Sequence, residues 1–244
     1  MKKDIEIYGI RPIIEAINQN KPIYKIWMLK GQRSNLLKTL ENKVHENGIS
    51  YSYVPKERLD KLSNQNHQGA VAKVSPIQFE SLEILVEQNI NIKAIYILLD
   101  GITDTRNLGA IIRTAAAMSV SGIIIPKTGS APINADTVKT SAGGIFSVPI
   151  VKVNHLKDAI YMLQSNNISI LAVSEKATDI VFEYSFDKSV ALVIGSEENG
   201  IQPSIMKLIE KKIKIPMNKN MKSLNVSVAF GIIVSEILRQ RNYH

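Results

Sequence analysis

Ala94-Ile-Tyr-Ile-Leu-Leu-Asp100 is an uninterrupted apolar run that closes on a carboxylate. Strands buried on both faces of a parallel sheet read this way, whereas half-exposed antiparallel strands alternate apolar with polar residues. Gly122–Pro126, GIIIP, repeats the pattern, and residues 108–118 between the two have the apolar spacing of a helix. Working outward, further strands are expected at 147–151, 168–173, 190–194 and 212–215. Helices are expected at 135–141, 156–164 and 203–209. Strands alternating with helices predict an α/β domain with a mainly parallel sheet over residues 94–244.

Upstream, residues 1–75 form a second, smaller alternating unit. The expected helices are 11–18, 35–47 (stopping at Gly48) and 56–62, and the expected strands 23–29, 49–54 and 70–74. Ser75-Pro76 closes this unit, and a polar stretch over 76–93 is expected to bridge to the larger domain. Arg11, Lys25, Lys30, Arg33 and Lys38 could face a phosphate backbone, although scattered surface lysines usually need no partner.

Bulk composition removes several classes of function. The 244 residues are 45% hydrophobic and 21% charged, as in a globular protein with a filled core. The absence of cysteine excludes disulfides, thiolate zinc sites and cysteine nucleophiles. His45, His67, His155 and His244 show no i, i+3 or i+4 pairing, so no metal site is expected. The N-terminus lacks the apolar core of a secretory signal, and no apolar run suits a membrane span. A cytoplasmic location with no membrane partner is therefore expected. Thirty basic against 22 acidic residues give a net charge of +8, which favours polyanions, RNA or DNA above all.

Ligands of open α/β sheets bind at the carboxyl ends of the strands, and three strand ends carry unusual chemistry. Asp100–Gly109, DGITDTRNLG, leads into the helix AIIRTAAAM, with Asn107 at its start and Arg113 as a cation among alanine and isoleucine. Gly195-Ser-Glu-Glu-Asn-Gly200 follows the strand VALVI, and its terminal glycines permit a tight turn and close approach to a ligand. The third loop, 216–225, joins a strand to a long helix. Val226, Ala229, Phe230, Ile233 and Ile237 share one face of that helix, and Ser223 or Asn225 can cap it. No GxGxxG follows a strand, and neither a Walker lysine motif nor a GxSxG elbow is present.

Asn107-Leu-Gly-Ala-Ile-Ile-Arg113, Gly195-Ser-Glu-Glu-Asn-Gly200, and Ile215-Pro216 with Ser223-Leu-Asn-Val-Ser227 resemble, in order and spacing, three motifs of the SpoU/TrmH family. These are RNA ribose 2′-O-methyltransferases. The resemblance implies a SPOUT-type α/β domain whose C-terminal segment is threaded into a trefoil knot, a homodimer, and S-adenosylmethionine (AdoMet) as methyl donor. It implies that Gly195, Ile215 and Leu224 bind AdoMet mainly through backbone. Asn107, Arg113, Glu197, Ser223 and Asn225 match the polar active-site positions.

Tyr8-Gly9 with Glu15-Ala16, and His67-Gln68-Gly69, resemble the branch of the family that carries a ribosomal-protein-like RNA-binding domain. Its best-known member methylates a guanosine of large-subunit (23S) rRNA. Methylation of tRNA ribose, or RNA binding and ribosome assembly without catalysis, are the alternatives. Thr105 stands where this branch usually has proline and Ser119 where it often has glycine, changes expected to alter loop stiffness only. Lys207, Lys211, Lys212, Lys214, Lys219 and Lys222 are expected to include contacts to RNA phosphates.

Overall fold

The computed structural model describes residues 4–218, 220, 221 and 223–242. In chain order these build β1 (Ile5–Tyr8), α1 (Ile10–Asn18), β2 (Ile23–Leu29), α2 (Asn35–Glu46), β3 (Tyr51–Val54), α3 (Lys56–Leu62) and β4 (Ala70–Val74). There follow α4 (Leu82–Gln88), β5 (Ile95–Asp100), α5 (Thr105–Ala117), β6 (Gly122–Pro126), α6 (Ala135–Thr140) and β7 (Ile150–Val153). The chain ends with α7 (Leu156–Ser165), β8 (Ser169–Val173), β9 (Asp179–Ile180), β10 (Val190–Gly195), α8 (Pro203–Met206), β11 (Lys211–Lys214) and α9 (Val226–Asn242).

The first compact unit comprises Met1–Gln78 together with Pro132–Ser147. Its four-stranded sheet has the order β1-β4-β2-β3, with β2 and β3 parallel and the other pairs antiparallel. Helix α1 buries Ile10, Ile13, Ala16 and Ile17 on one face, and Ser34 caps α2 by accepting from the Leu37 amide. His67 is buried with both ring nitrogens used, Nε2 against Asp60 and Nδ1 accepting from the Gly69 amide, each at 3.0 Å. Gly69 takes a φ of +90°, a conformation that favours glycine, and a Cβ there would also displace the Gln32 side-chain amide, 1.9 Å away. His67-Gln68-Gly69 is thus a structural turn that fixes the start of β4.

Residues 132–147 lie in sequence between β6 and β7 but pack with this first unit. Tyr8 donates from Oη to Asp136 Oδ1 at 2.5 Å, Lys139 Nζ donates to Gln68 Oε1 at 2.6 Å, and Ser147 Oγ donates to Glu15 Oε1 at 2.6 Å. Ala135 packs against the apolar cluster of Tyr8, Leu59 and Val71.

The second unit, Phe79–Ala131 with Val148–His244, contains a seven-stranded sheet in the order β7-β6-β5-β10-β8-β11-β9. Every pairing in it is parallel. Ile97, Leu98, Leu99, Ala191, Leu192 and Val193 are wholly buried at its centre, as the uninterrupted apolar runs require. From β5 the strands step outward through β6 and β7 on one side. On the other side β10, late in the chain, intervenes before β8. The strand order therefore reverses between β5 and β10, the position at which open sheets of this kind form a crevice.

Several boundaries differ from expectation for local reasons. The polar stretch 76–93 contains α4, capped by Ser81, which buries Leu82, Leu85 and Val86 in the second unit's core. Helix α5 starts at Thr105 because Asp104 is its cap, accepting from the Arg106 amide. Thr105 occupies the first helical position, which suits proline, so the substitution leaves the helix start intact. Ser119 adopts a φ of +51°, a left-handed conformation natural to glycine. Strand β7 begins at Ile150 because left-handed Ala142 and Gly143 lead into a 3-10 turn over Gly144–Phe146. Helix α8 stops at Met206, short of residue 209.

Candidate active site

Asp100 and Gly195 are neighbouring Cα partners at the carboxyl ends of β5 and β10. The Asp100 carboxylate is 2% exposed, and a buried carboxylate needs donors. Gln202 supplies them: its amide N–H reaches Oδ2 at 2.7 Å and its Nε2 reaches Oδ1 at 2.8 Å. These bonds hold the far end of the loop that leaves β10. Within that loop the Ser196 and Gly200 amides each donate to the other's carbonyl, at 3.2 and 2.9 Å. The Asn199 amide donates to Ser196 Oγ at 3.1 Å. A Cβ on Gly195 would lie 2.0 Å from the Gly200 carbonyl carbon, so a side chain there would force the loop open.

One oxygen of this loop gathers the other two. Glu197 Oε1 accepts from Asn107 Nδ2 at 3.2 Å, from Asn225 Nδ2 at 2.6 Å and from the Val226 amide at 3.1 Å. Val226 opens α9, so a carboxylate from a distant loop satisfies one of the free N–H groups at the positive end of that helix. Asn225 does two jobs. Its Oδ1 caps α9 by accepting from the Ser227 amide at 3.0 Å, and also accepts from Ser227 Oγ at 2.6 Å. Its Nδ2 bridges Glu197 and Asn107 Oδ1, the latter at 3.0 Å. Asn107 does not cap α5, because Asp104 does; it lies in the first turn with its side chain free to join this network.

The remaining expected residues stand outside the network. Arg113 is exposed on α5 and, among the described residues, makes no hydrogen bond or ion pair. Ser223 is exposed just before α9, while Ile215 and Leu224 are half-buried. Among the described residues the backbone groups of Ile215 and Leu224 accept and donate no hydrogen bond. Lys207, Lys211 and Lys212 are exposed and Lys214 half-buried; Lys219, Lys222 and His244 lie outside the described residues. Asp100, Gln202 and Ser227 were not expected as site residues. For Asp100 the sequence held a signal: a carboxylate ending a wholly apolar strand is buried and must be partnered. No cluster of potential metal ligands occurs among the described residues. No helix among them is long and apolar enough to cross a membrane.

Residues 94–235 match the model of the SpoU rRNA Methylase family, and residues 7–80 match that of RNA 2′-O ribose methyltransferase substrate binding. The chain is 35% identical to the 23S rRNA (guanosine-2′-O-)-methyltransferase RlmB of Pasteurella multocida, over 96% of this chain and 98% of that protein. It is 31% identical to YacO of Bacillus subtilis, assigned to the TrmH family of tRNA/rRNA methyltransferases, over 97% of this chain and 96% of that one. Among solved structures it resembles the SpoU methyltransferase AviRb of Streptomyces viridochromogenes in complex with AdoMet. The TM-score is 0.80 at 24% identity, over 98% of this chain and 90% of that chain.

Proposed function

The chain belongs to the SpoU rRNA methylase family, and from that premise we propose that it methylates a ribose 2′-hydroxyl of RNA with AdoMet, the target being a guanosine of 23S rRNA. The observation that carries the reading is the Glu197 oxygen that ties three loops together at the β5–β10 crevice. A sulfonium methyl is already activated, so the reaction asks for alignment of an alcohol with it more than for a strong base or a metal. Side chains hydrogen-bonded to one another at a strand-order reversal supply that alignment, a contribution of several kcal/mol to such reactions.

The residues present suit AdoMet. Ile215 and Leu224 combine half-buried apolar side chains with backbone groups free among the described residues, and Gly195 lets the motif loop close tightly. When bound, AdoMet supplies the electrophilic methyl group. Asn107, Glu197 and Asn225 then act as the frame, and Ser223 and Arg113 as the exposed groups that meet RNA. A guanidinium is a permanent cation in proteins. Arg113 therefore clamps a phosphate beside the reacting ribose and stabilises charge developing on the 2′-oxygen.

The same reading includes a homodimer, supported by a groove along α9 in which Met118, Phe182, Val228, Ile232 and Leu238 are flanked by Ser235, Glu236 and Arg239. Phe182 and Val228 are each about half exposed there. It also includes the family's trefoil knot and a cytoplasmic site of action. RNA in place of DNA or protein is supported by the substrate-binding match at residues 7–80.

The test is to incubate the purified protein with labelled AdoMet and total RNA from cells lacking it, then map the modified nucleotide. Label at a 23S rRNA guanosine 2′-oxygen is expected. Label confined to tRNA would overturn the target. AdoMet binding with no labelled RNA would favour an RNA-binding protein without catalysis.

A further inference from the structure

The first unit carries a cavity of about 610 Å³ whose lining includes none of Asn107, Arg113, Glu197, Ser223 or Asn225. It lies where the chain passes from β2 into α2, and Lys30, Arg33, Leu37, Lys38, Glu41 and Tyr53 are among its lining residues. Lys30, Arg33 and Lys38 are exposed, and among the described residues none of them joins an ion pair. Glu41, the one carboxylate of the lining, accepts a hydrogen bond from the Tyr53 hydroxyl at 2.9 Å.

Tyr53 is 47% exposed, yet its ring is fixed at two places. Its hydroxyl is tied to Glu41, and Tyr51 meets it edge-on with ring centroids 5.6 Å apart. Tyr51 is in turn braced edge-on by His45 at 5.2 Å. Burial, with the Glu41 hydrogen bond and charge, pushes the Tyr53 phenol up to about 12. A solvated lysine patch would need neither a concavity nor a braced aromatic ring. Single-stranded RNA needs both kinds of group, an aromatic face for an unstacked base and cations for the flanking phosphates. A duplex keeps its base faces stacked away and could use only the cations.

We infer that this cavity receives an unpaired nucleotide of the RNA, other than the one methylated, with its base against Tyr53 and its neighbouring phosphates on Lys30, Arg33 and Lys38. The inference rests on the RNA substrate of the proposed function and not on its chemistry. It gives the first unit a selective role: choosing a target whose unpaired neighbour can enter.

Full-length protein would be titrated with a short single-stranded RNA of random sequence and with an RNA duplex of equal length. Tyr53→Ala is expected to weaken single-strand binding about tenfold and to leave duplex binding unchanged. Tyr53→Phe, which keeps the ring, should retain most of the affinity. Replacing Arg33 and Lys38 together by alanine should flatten the salt slope of single-strand binding by about 1.4, the share of two phosphates. Equal losses in Tyr53→Ala and Tyr53→Phe, a parallel loss on duplex, or no loss at all would each overturn the cavity's role. Tyr53-dependent single-strand binding in a protein that methylates no RNA would overturn the proposed function and leave this inference standing.

Discussion

Glu197 concentrates three donors on one oxygen although its carboxylate is exposed, so its removal should act on two properties at once. Glu197→Ala is expected to cost about 1 kcal/mol of stability, a value discounted from that of a buried charged hydrogen bond because solvent competes. Methyl transfer should fall much further, because Asn107, Asn225 and the start of α9 lose their common anchor. Glu197→Gln keeps an acceptor oxygen and should recover part of both. Urea midpoints and initial rates measured side by side check this; a destabilised Glu197→Ala protein with wild-type turnover would reduce the residue to a purely structural role. Arg113 offers the complementary case, since it makes no hydrogen bond or ion pair among the described residues. Arg113→Lys should leave the urea midpoint unchanged and lower turnover at least about tenfold, because an ammonium cannot form the two parallel bonds of a guanidinium. Near-full turnover would rule out the bidentate clamp.

At the scale of elements, α1 is joined to the 132–147 segment through Glu15 and Ser147. Burial raises the Glu15 carboxyl, but hydrogen bonds from Ser147, Gln19 and Asn18, with the charge of Lys43, outweigh it and hold the pKa below its ordinary value. A carboxyl depressed in the folded state contributes stability that is complete above its unfolded pKa and is lost as pH falls through the folded one. The Glu15 contribution should therefore be intact at neutral pH and fade only below the usual glutamate range. Thermal unfolding of wild-type and Glu15→Gln proteins across that acid range checks this: the two should converge as pH falls. A gap between them that widened toward acid would contradict the sign. The Gly9 position beside this segment favours glycine because its φ is +96°, whereas the Lys139 Nζ that a Cβ would meet at 2.3 Å ends a flexible side chain and could move.

For the whole molecule, the homodimer of the proposed function would meet at the groove that includes Phe182, Val228 and Ile232. Phe182 lies outside α9 and is 49% exposed, so Phe182→Glu leaves the helix sequence and the Glu197 network untouched. A charge at the centre of a buried subunit contact is costly. The proposed homodimer predicts that the wild type sediments as a dimer and the variant as a monomer; a monomeric wild type would overturn it. An unchanged dimer would move the contact elsewhere. If the two subunits complete each other's sites, the monomeric variant should also lose methyl transfer, which the same preparation can report.

The sequence by itself determined the strand cores and most helices. Continuous burial on both sheet faces leaves an uninterrupted apolar run, as in Ile95–Asp100, and one-sided burial leaves the helical spacing of Val226, Phe230, Ile233 and Ile237. It also marked Asn107, Glu197 and Asn225, because their motifs resemble those of a family. Tertiary structure alone decided what those residues do to one another. Glu197 meets Asn107 across 90 positions and Asn225 across 28, and no local periodicity encodes a contact of that span. The same limit hid α4 in a polar stretch, where three apolar residues gained meaning only from the core they enter. It hid the membership of 132–147 in the first unit, fixed by side-chain bonds to Tyr8, Glu15 and Gln68. Local pattern reports which face of an element is buried, whereas long-range hydrogen bonds report against what, and the latter exist only once the chain has closed.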